Sequence, residues 1–452
     1  MQSDRAARLS LFLMAIIPAL TCAVAYFFLL QDYGAFGDEG SFCTIGQGIT
    51  KGYLPYQDYF NEKPPLQYFW TALIFTLFGS EFESNRIVAS VALFLTLFLI
   101  LIQVAARTKS TALPLFSATA ISVIGLIMQA YNNTAESSLA LILVTSLILI
   151  FKPGRIGYAS ASFLVGLLQG LACGFRQTAI FSALFLLVAP WHRAPRRLYV
   201  AGFLLGGGIW IVPLMMLGIL DDAIDATLLF HLDNPGRTTY YHGLKTGNYN
   251  AFAIWSLVVA ACGFHAWKTG KHYWMCLWLV IAALPFFGRM DAFRLWPSTM
   301  MGLAYLFMNM EMAINRCALR FGMIALPLII FSVEMPVKMT LDRSIAEKVV
   351  RYTRADETIW VGPFKPNVYC ISQRKPASRF YFLLPWIVKP GVESAVLWDF
   401  SQNPPRMIVD TSNKLFNLQK LAPLLAKEIE SNYRLVGQDA GGRYYLRKPE
   451  NT

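Results

Sequence analysis

Apolar positions along this chain fall into blocks rather than into the alternating patterns of a soluble fold. About eleven runs stand out, near 9–30, 84–105, 111–130, 135–151, 157–175, 178–190, 198–220, 250–267, 273–288, 294–313 and 319–337. A helix of about 20 apolar residues spans the ~30 Å hydrocarbon core of a bilayer. The pattern predicts an α-helical polytopic membrane protein with about 11 transmembrane helices, filling residues 1–337. A further segment, "PPLQYFWTALIFTLFG" at 64–79, is shorter and aromatic-rich, as expected of a helix lying along the interface. Beyond Leu341 the pattern changes. "TIWVGPFKPNVYCIS" and "PRMIVD" have strand-like β-branched content, 418–433 has helical apolar spacing, and "RYYLRK" reads as a last strand. About 110 residues suit a small domain, so 338–452 is expected to form a C-terminal α/β domain.

Basic residues set the orientation. With the N-terminus inside, the cytoplasmic connections hold Arg107 and Lys109; Lys152 and Arg155; Arg193, Arg196 and Arg197; Lys268 and Lys271; Arg316 and Arg320. Every such loop then carries at least two basic residues, which satisfies the positive-inside rule. If segment 64–79 crossed, the alternation would invert. The expected topology puts loop 31–83, connection 221–250 and domain 338–452 on the outer (periplasmic or exterior) face of the inner, or plasma, membrane. Arg5 and Arg8 precede the first run and "AVA" imitates a cleavage site, but the run continues past it, so a retained helix is expected.

Composition agrees and narrows the class. The chain is 56% hydrophobic and 15% charged, against about 25% charged in soluble domains. Its net charge of +12 is not clustered into a stripe of the kind that binds nucleic acid, and the positive-inside bias accounts for it better, so no nucleic-acid partner is expected. The seven cysteines show neither metal-ligand spacing nor a disulfide rhythm. Most sit in apolar runs, where cysteine is a small hydrophobe, so they are expected to be structural. The sequence has no Walker loop, no H-E-x-x-H and no G-x-S-x-G.

Few basic residues are expected on the outer side of the helical bundle: Lys51, Lys63, Arg86, Arg176, Arg237, Lys245, Arg289 and Arg294. Topology disfavours them there, which asks for a function. Asp38 and Glu39, in "AFGDEGSF", follow the first run. One reading is a polar helix end meeting water, although a helix C-terminus disfavours carboxylates. The surrounding stretch adds to this. It orders an acid pair, a helical patch, "GYLPYQDYF", "EKPPL" and an aromatic amphipathic segment.

That ordered set resembles the first outer loop of the GT-C glycosyltransferases. The branch it is most similar to uses polyprenyl-phosphate sugars and includes protein O-mannosyltransferases and aminoarabinose transferases. The resemblance implies a multispanning enzyme that takes a sugar from a lipid-phosphate carrier at the outer leaflet. On that resemblance the loop acid maps onto Asp38, followed by Glu39, and the lysine of the K-P-P element onto Lys63. A second acid opening a later span maps onto Glu136 in "YNNTAESSL". Basic residues map onto Arg176 in "GFRQTA" and Arg294 in "FRLWPS".

The chemistry fits these residue types. Sugar transfer from a lipid phosphate needs a hydroxyl or amine nucleophile, helped by a base, and releases a phosphate whose negative charge grows in the transition state. Lysine and arginine suit that charge. Arg237 in "HLDNPGRTTYYHG" is a further phosphate candidate, because the Pro-Gly turn before it and Tyr240 and Tyr241 after it suggest an ordered loop; a solvated arginine is the plainer reading. Glu62 and His231 are the candidate ligands for a divalent metal, the one cofactor the residues offer, though two ligands on separate loops favour the plainer reading. Arg374, Lys375 and Arg379 form a basic edge in the tail, suited to an anionic acceptor, to lipid headgroups or simply to solvent. The expected function is transfer of a sugar, with inversion, from a polyprenyl-phosphate carrier to a glycan, glycolipid or protein acceptor. The alternatives are a transporter or flippase, and a polysaccharide ligase or polymerase, for lipid-linked sugars. Neither needs the acid pair and K-P-P loop, and the matched broken helices of many transporters are not visible in the sequence.

Overall fold

The computed structural model describes residues 2–29, 37–106, 112–128, 135–191, 195–230, 246–289, 291–309, 340–414 and 416–449. The chain divides into two compact units. The first comprises Met1–Gln31, Arg86–Val212 and Tyr241–Pro336, and the second Asp32–Asn85, Pro213–Tyr240 and Val337–Thr452.

Apolar runs become helices because a helix satisfies its backbone polar groups internally, as a bilayer requires. Among the described residues, Leu9–Phe28, Phe82–Ala105, Gly154–Phe175, Arg196–Met216 and Tyr249–Thr269 are long and apolar enough to cross a membrane. Shorter apolar helices include Ser117–Leu126, Ala135–Phe151, Ala179–Val188 and Tyr273–Ala282. Each expected run up to 294–313 coincides with helix, ending in Trp296–Asn309, and run 319–337 lies outside the described residues. In the first unit, helices Gly157–Phe175 and Arg196–Met216 approach through small residues. A side chain at Gly166 or Gly170 would meet the backbone of Tyr199 or Phe203, and one at Gly202 or Gly206 would meet that of Phe163 or Leu167. Such spacing of four is the close-packing device of membrane helices. Trp210 Nε1 seals the contact by donating to the Gly170 carbonyl at 3.1 Å.

In the second unit, segment 64–79 forms helix Leu66–Phe78, 13 residues long, or about 20 Å at 1.5 Å per residue. It buries Tyr68, Thr71, Ala72 and Phe75 and exposes Leu77 and Phe78. The tail holds a four-stranded sheet in the order β1-β2-β4-β3, with β1 Ile359–Gly362, β2 Met407–Asp410, β3 Tyr433–Asp439 and β4 Gly442–Arg447. β1 and β2 are parallel, pairing Ile359 with Met407 and Gly362 with Asp410, while β2/β4 and β3/β4 are antiparallel. β1 and β2 are buried along their whole length, as expected of parallel strands.

The structure corrects several sequence expectations. Only the first part of "TIWVGPFKPNVYCIS" is strand, because Pro366 starts helix Asn367–Ser372. Pro423 splits the 418–433 helix into Leu418–Leu421 and Pro423–Asn432. Connection 221–250 begins with helix Leu220–Ile224 and a π-turn, Asp225–Leu229. Cys43 and Cys370, read as unpaired, form a disulfide across a separation of 327 residues. No spacing rule reaches that far.

Candidate functional site

The second unit carries the acidic motif. Asp38 and Glu39 do not end the first span. They open a helix of their own, Gly37–Thr50, and stand in its first turn, where the positive end of the helix dipole favours carboxylates. Successive helical residues point about 100° apart, and the two acids diverge accordingly. Glu39 is fully buried, whereas the Asp38 side chain keeps 27% exposure.

Lys63 reaches this acid. Its Nζ lies 2.5 Å from Asp38 Oδ1 and 5.2 Å from the centroid of the Phe42 ring, one turn along the same helix. The loop that delivers Lys63 is tightly held. Tyr56, in "GYLPYQDYF", has a left-handed φ of 70° and is 1% exposed. A bulky residue held in that region stores backbone strain. Asp58 Oδ2 accepts from Leu54 N–H at 2.8 Å, and Tyr56 N–H donates to the Tyr59 carbonyl at 2.9 Å. The Tyr56 and Tyr68 hydroxyls then both donate to the Lys63 carbonyl, at 2.8 and 3.1 Å. Burial pushes the Tyr56 hydroxyl well above its ordinary pKa, so it remains a donor. Pro65 then leads directly into helix Leu66–Phe78.

The tail grips the acidic helix. Thr44 Oγ1 donates to the Pro366 carbonyl at 3.1 Å and Gln47 Nε2 to the Cys370 carbonyl at 3.0 Å, beside the Cys43–Cys370 bond. The glycines flanking the acid pair are contact points: a side chain at Gly37 would meet Phe364, and one at Gly40 would meet Asn367. Tyr381 ties the parts together, its hydroxyl hydrogen-bonded to Ser41 and Asn61. Burial raises the Tyr381 pKa, and the nearby Glu62 and Asp38 carboxylates raise it further. Of the expected basic edge, Arg374 donates to Thr353, and Lys375 sits 3.6 Å from the Tyr53 ring and 3.7 Å from Asp58.

In the first unit, Glu136 stands in the first turn of Ala135–Phe151, and Arg176 caps the C-terminus of Gly157–Phe175. The two are buried and form an ion pair. Arg294 lies in the short helix Ala292–Leu295, its Nε donating to Asp291 Oδ2 at 2.8 Å. The structure thus brings together two residue pairs that the sequence had named singly, Asp38 with Lys63 and Glu136 with Arg176. It adds Asp291, whose only sequence signal is its i, i+3 spacing to Arg294. Tyr56, Tyr68 and Tyr381 were missed, since buried tyrosines look like core until their hydroxyls are placed. Arg237, Tyr240 and His231 lie outside the described residues. Glu62 is buried beside Lys63, and among the described residues no group of three or more His, Cys, Asp or Glu gathers as metal ligands would.

No protein-family model and no curated protein sequence matches the chain. Solved structures do. ArnT from Cupriavidus metallidurans bound to undecaprenyl phosphate aligns with a TM-score of 0.62 at 14% identity, over 96% of this chain and 98% of that one. The same protein in the apo state gives 0.58 at 14% identity, over 94% and 97%. The Archaeoglobus fulgidus oligosaccharyltransferase, solved with Zn and sulfate, gives 0.35 at 10% identity over 97% and 74%, too low to carry an argument. By this likeness the chain shares the fold of ArnT, a mostly helical architecture with several apolar helices long enough to cross a membrane and a small C-terminal sheet.

Proposed function

We propose that the chain is a membrane glycosyltransferase that moves a sugar, with inversion, from a polyprenyl-phosphate carrier to a glycan, glycolipid or protein acceptor on the outer face of the membrane. The observation that carries this reading is the Asp38–Lys63 pair at 2.5 Å, in a loop whose motif resembles that of the family, on a fold similar to ArnT. The pair unites a base with a cation for the leaving group. As the donor phosphate arrives, Lys63 follows it on its flexible stem and releases Asp38. Asp38 then takes the proton of the acceptor hydroxyl or amine. The nucleophile bonds to the anomeric carbon from the face opposite the phosphate. The anomeric C–O bond breaks, and the phosphate leaves with the bonding electrons, its charge met by Lys63.

Glu39 has a positioning role in this scheme. On the family resemblance Glu136 serves as second acid and Arg176 and Arg294 as donor-binding cations; Arg237 and Tyr240, read from their Pro-Gly turn and tyrosines rather than from the resemblance, are further donor-binding candidates. A divalent ion at Glu62 would need a further ligand, for which the sequence offers His231. The disulfide supports the outward orientation. It joins the acidic helix to the tail domain, and such bonds persist in oxidising compartments.

The test is turnover. Purified protein given a polyprenyl-phosphate hexose and an envelope extract as acceptor should release free polyprenyl phosphate. Movement of intact donor across a vesicle without release would instead mark a transporter.

A further inference from the structure

The tail domain contains a cleft of about 510 Å³ to which the proposed transfer assigns no role. It opens where the parallel strands end. Lys365 follows β1, Thr411 to Asn413 follow β2, and the β3–β4 hairpin forms the opposite wall. Crevices at the carboxyl ends of parallel strands are where open α/β sheets take their ligands. The charges of this cleft are balanced. Lys365 Nζ lies 2.5 Å from Asp342 Oδ1, Arg443 Nη2 lies 2.5 Å from Asp410 Oδ2, and Lys348 pairs with Asp439. A phosphate or carboxylate ligand would have to compete with a carboxylate for each of these cations. The uncharged polar part of the lining is amide and hydroxyl, from Thr411, Ser412, Asn413, Asn417 and Gln438, beside the small or apolar Leu341, Ala440, Gly441 and Gly442. Such a wall matches hydroxyl groups, which donate and accept at once.

Two aromatic residues adjoin lining residues of the cleft in the chain, Phe364 next to Lys365 and Phe416 next to Asn417. The Phe416 ring, on the segment between Asn413 and Asn417, stands 6.0 Å from that of Phe364 at 67°. Both rings are only partly buried, and aromatic faces of this kind pack against the C–H faces of pyranose rings. Phe364 adjoins Lys365 in the chain and lies against Gly37, next to Asp38.

We propose that this cleft is a binding site for a neutral oligosaccharide, which it holds as part of the acceptor beside the acidic helix. The inference rests on the glycosyltransferase reading for its purpose, but its test does not. The full-length protein in detergent is applied to a printed array of several hundred neutral and acidic glycans. Capture by neutral glycans is expected, persisting at 0.5 M salt and falling at least tenfold in Phe416→Ala and in the double variant Asn413→Ala, Gln438→Ala. Asn413 and Gln438 are exposed, so the double variant should keep the wild-type unfolding midpoint even if Phe416→Ala does not fold. No capture of any neutral glycan, capture of acidic glycans alone, or capture unaffected in the folded double variant would each overturn the proposal. Release of polyprenyl phosphate is measured separately. Turnover without glycan capture removes the cleft and leaves the enzyme, and capture without turnover does the reverse.

Discussion

If Asp38 and a donor phosphate compete for the Lys63 ammonium group, as proposed, removing the acid should have opposite effects on binding and on chemistry. Asp38→Asn keeps the shape of the side chain and deletes its charge. A charge-assisted hydrogen bond contributes roughly 1.5–3 kcal/mol. The pair is partly exposed, at 13% for Lys63 and 27% for Asp38, so solvent screening reduces its worth to about 1 kcal/mol. Releasing Lys63 should therefore tighten undecaprenyl phosphate binding about fivefold, while transfer falls by roughly 10²–10⁴. Lys63→Ala loses the phosphate contact itself and should weaken binding roughly tenfold or more. In the double variant the gain from Asp38→Asn should vanish, since no ammonium is left to release. Calorimetric titration with undecaprenyl phosphate reads the first effect, and single-turnover release of polyprenyl phosphate reads the second. A fivefold gain that survives in the Lys63→Ala background would refute the competition. Near wild-type transfer by Asp38→Asn, with Glu39→Gln inactive, would reverse the roles of the two acids.

Three further outcomes follow from the packing. Glu136→Gln or Arg176→Met alone leaves a buried charge without its partner and should cost about 3–5 kcal/mol, with the double variant less affected; thermal unfolding in detergent compares them, and additive losses would count against the pair. Gly40→Ala puts a methyl group into Asn367 and should destabilise by about 1–3 kcal/mol, with a matching drop in turnover; an unchanged midpoint would show that the tail does not press on this helix. Burial raises the Tyr56 and Tyr381 pKa values in the fold, whereas the unfolded chain ionises near pH 10. Their contribution is therefore fully present below about pH 10 and is lost as pH rises beyond it; a stability profile from pH 8 to 11.5 should slope downward there, and less steeply in Tyr56→Phe.

The helices were legible because a bilayer leaves little choice. A run of apolar residues must become a helix, and each expected run up to 294–313 does so. The acid pair was legible as an ordered motif, but its setting was not. Sequence placed it at the end of the first span, whereas the structure starts a new helix there, because the carboxylates are stabilised at an N-terminus. Gly37 and Gly40 flank the pair. They are contact points for Phe364 and Asn367, more than 320 residues away in the chain, and local pattern carries no information about such partners. The same distance hid the disulfide. In the tail, "NVYCIS" misled because its β-branched residues suit a strand, while Pro366 and burial against the acidic helix settle it as a helix.

The Cys43–Cys370 bond brings these points to one measurement. It fastens the acidic helix to Asn367–Ser372, where Thr44 and Gln47 already donate to tail carbonyls. If the bond holds the helix that presents Asp38, its removal should act on stability and on turnover together. Loss of a native disulfide costs about 2–5 kcal/mol. The remaining hydrogen bonds keep part of the contact, so Cys43→Ser with Cys370→Ser should unfold at lower temperature and turn over more slowly without becoming inactive. Thiol counting checks the premise first. Protein unfolded without reductant should accept two fewer maleimide labels than protein reduced beforehand. Equal labelling would mean that the two cysteines are free in the cell-derived protein. The disulfide argument for an outward-facing tail would then fall, leaving orientation to rest on the basic residues of the inside loops alone.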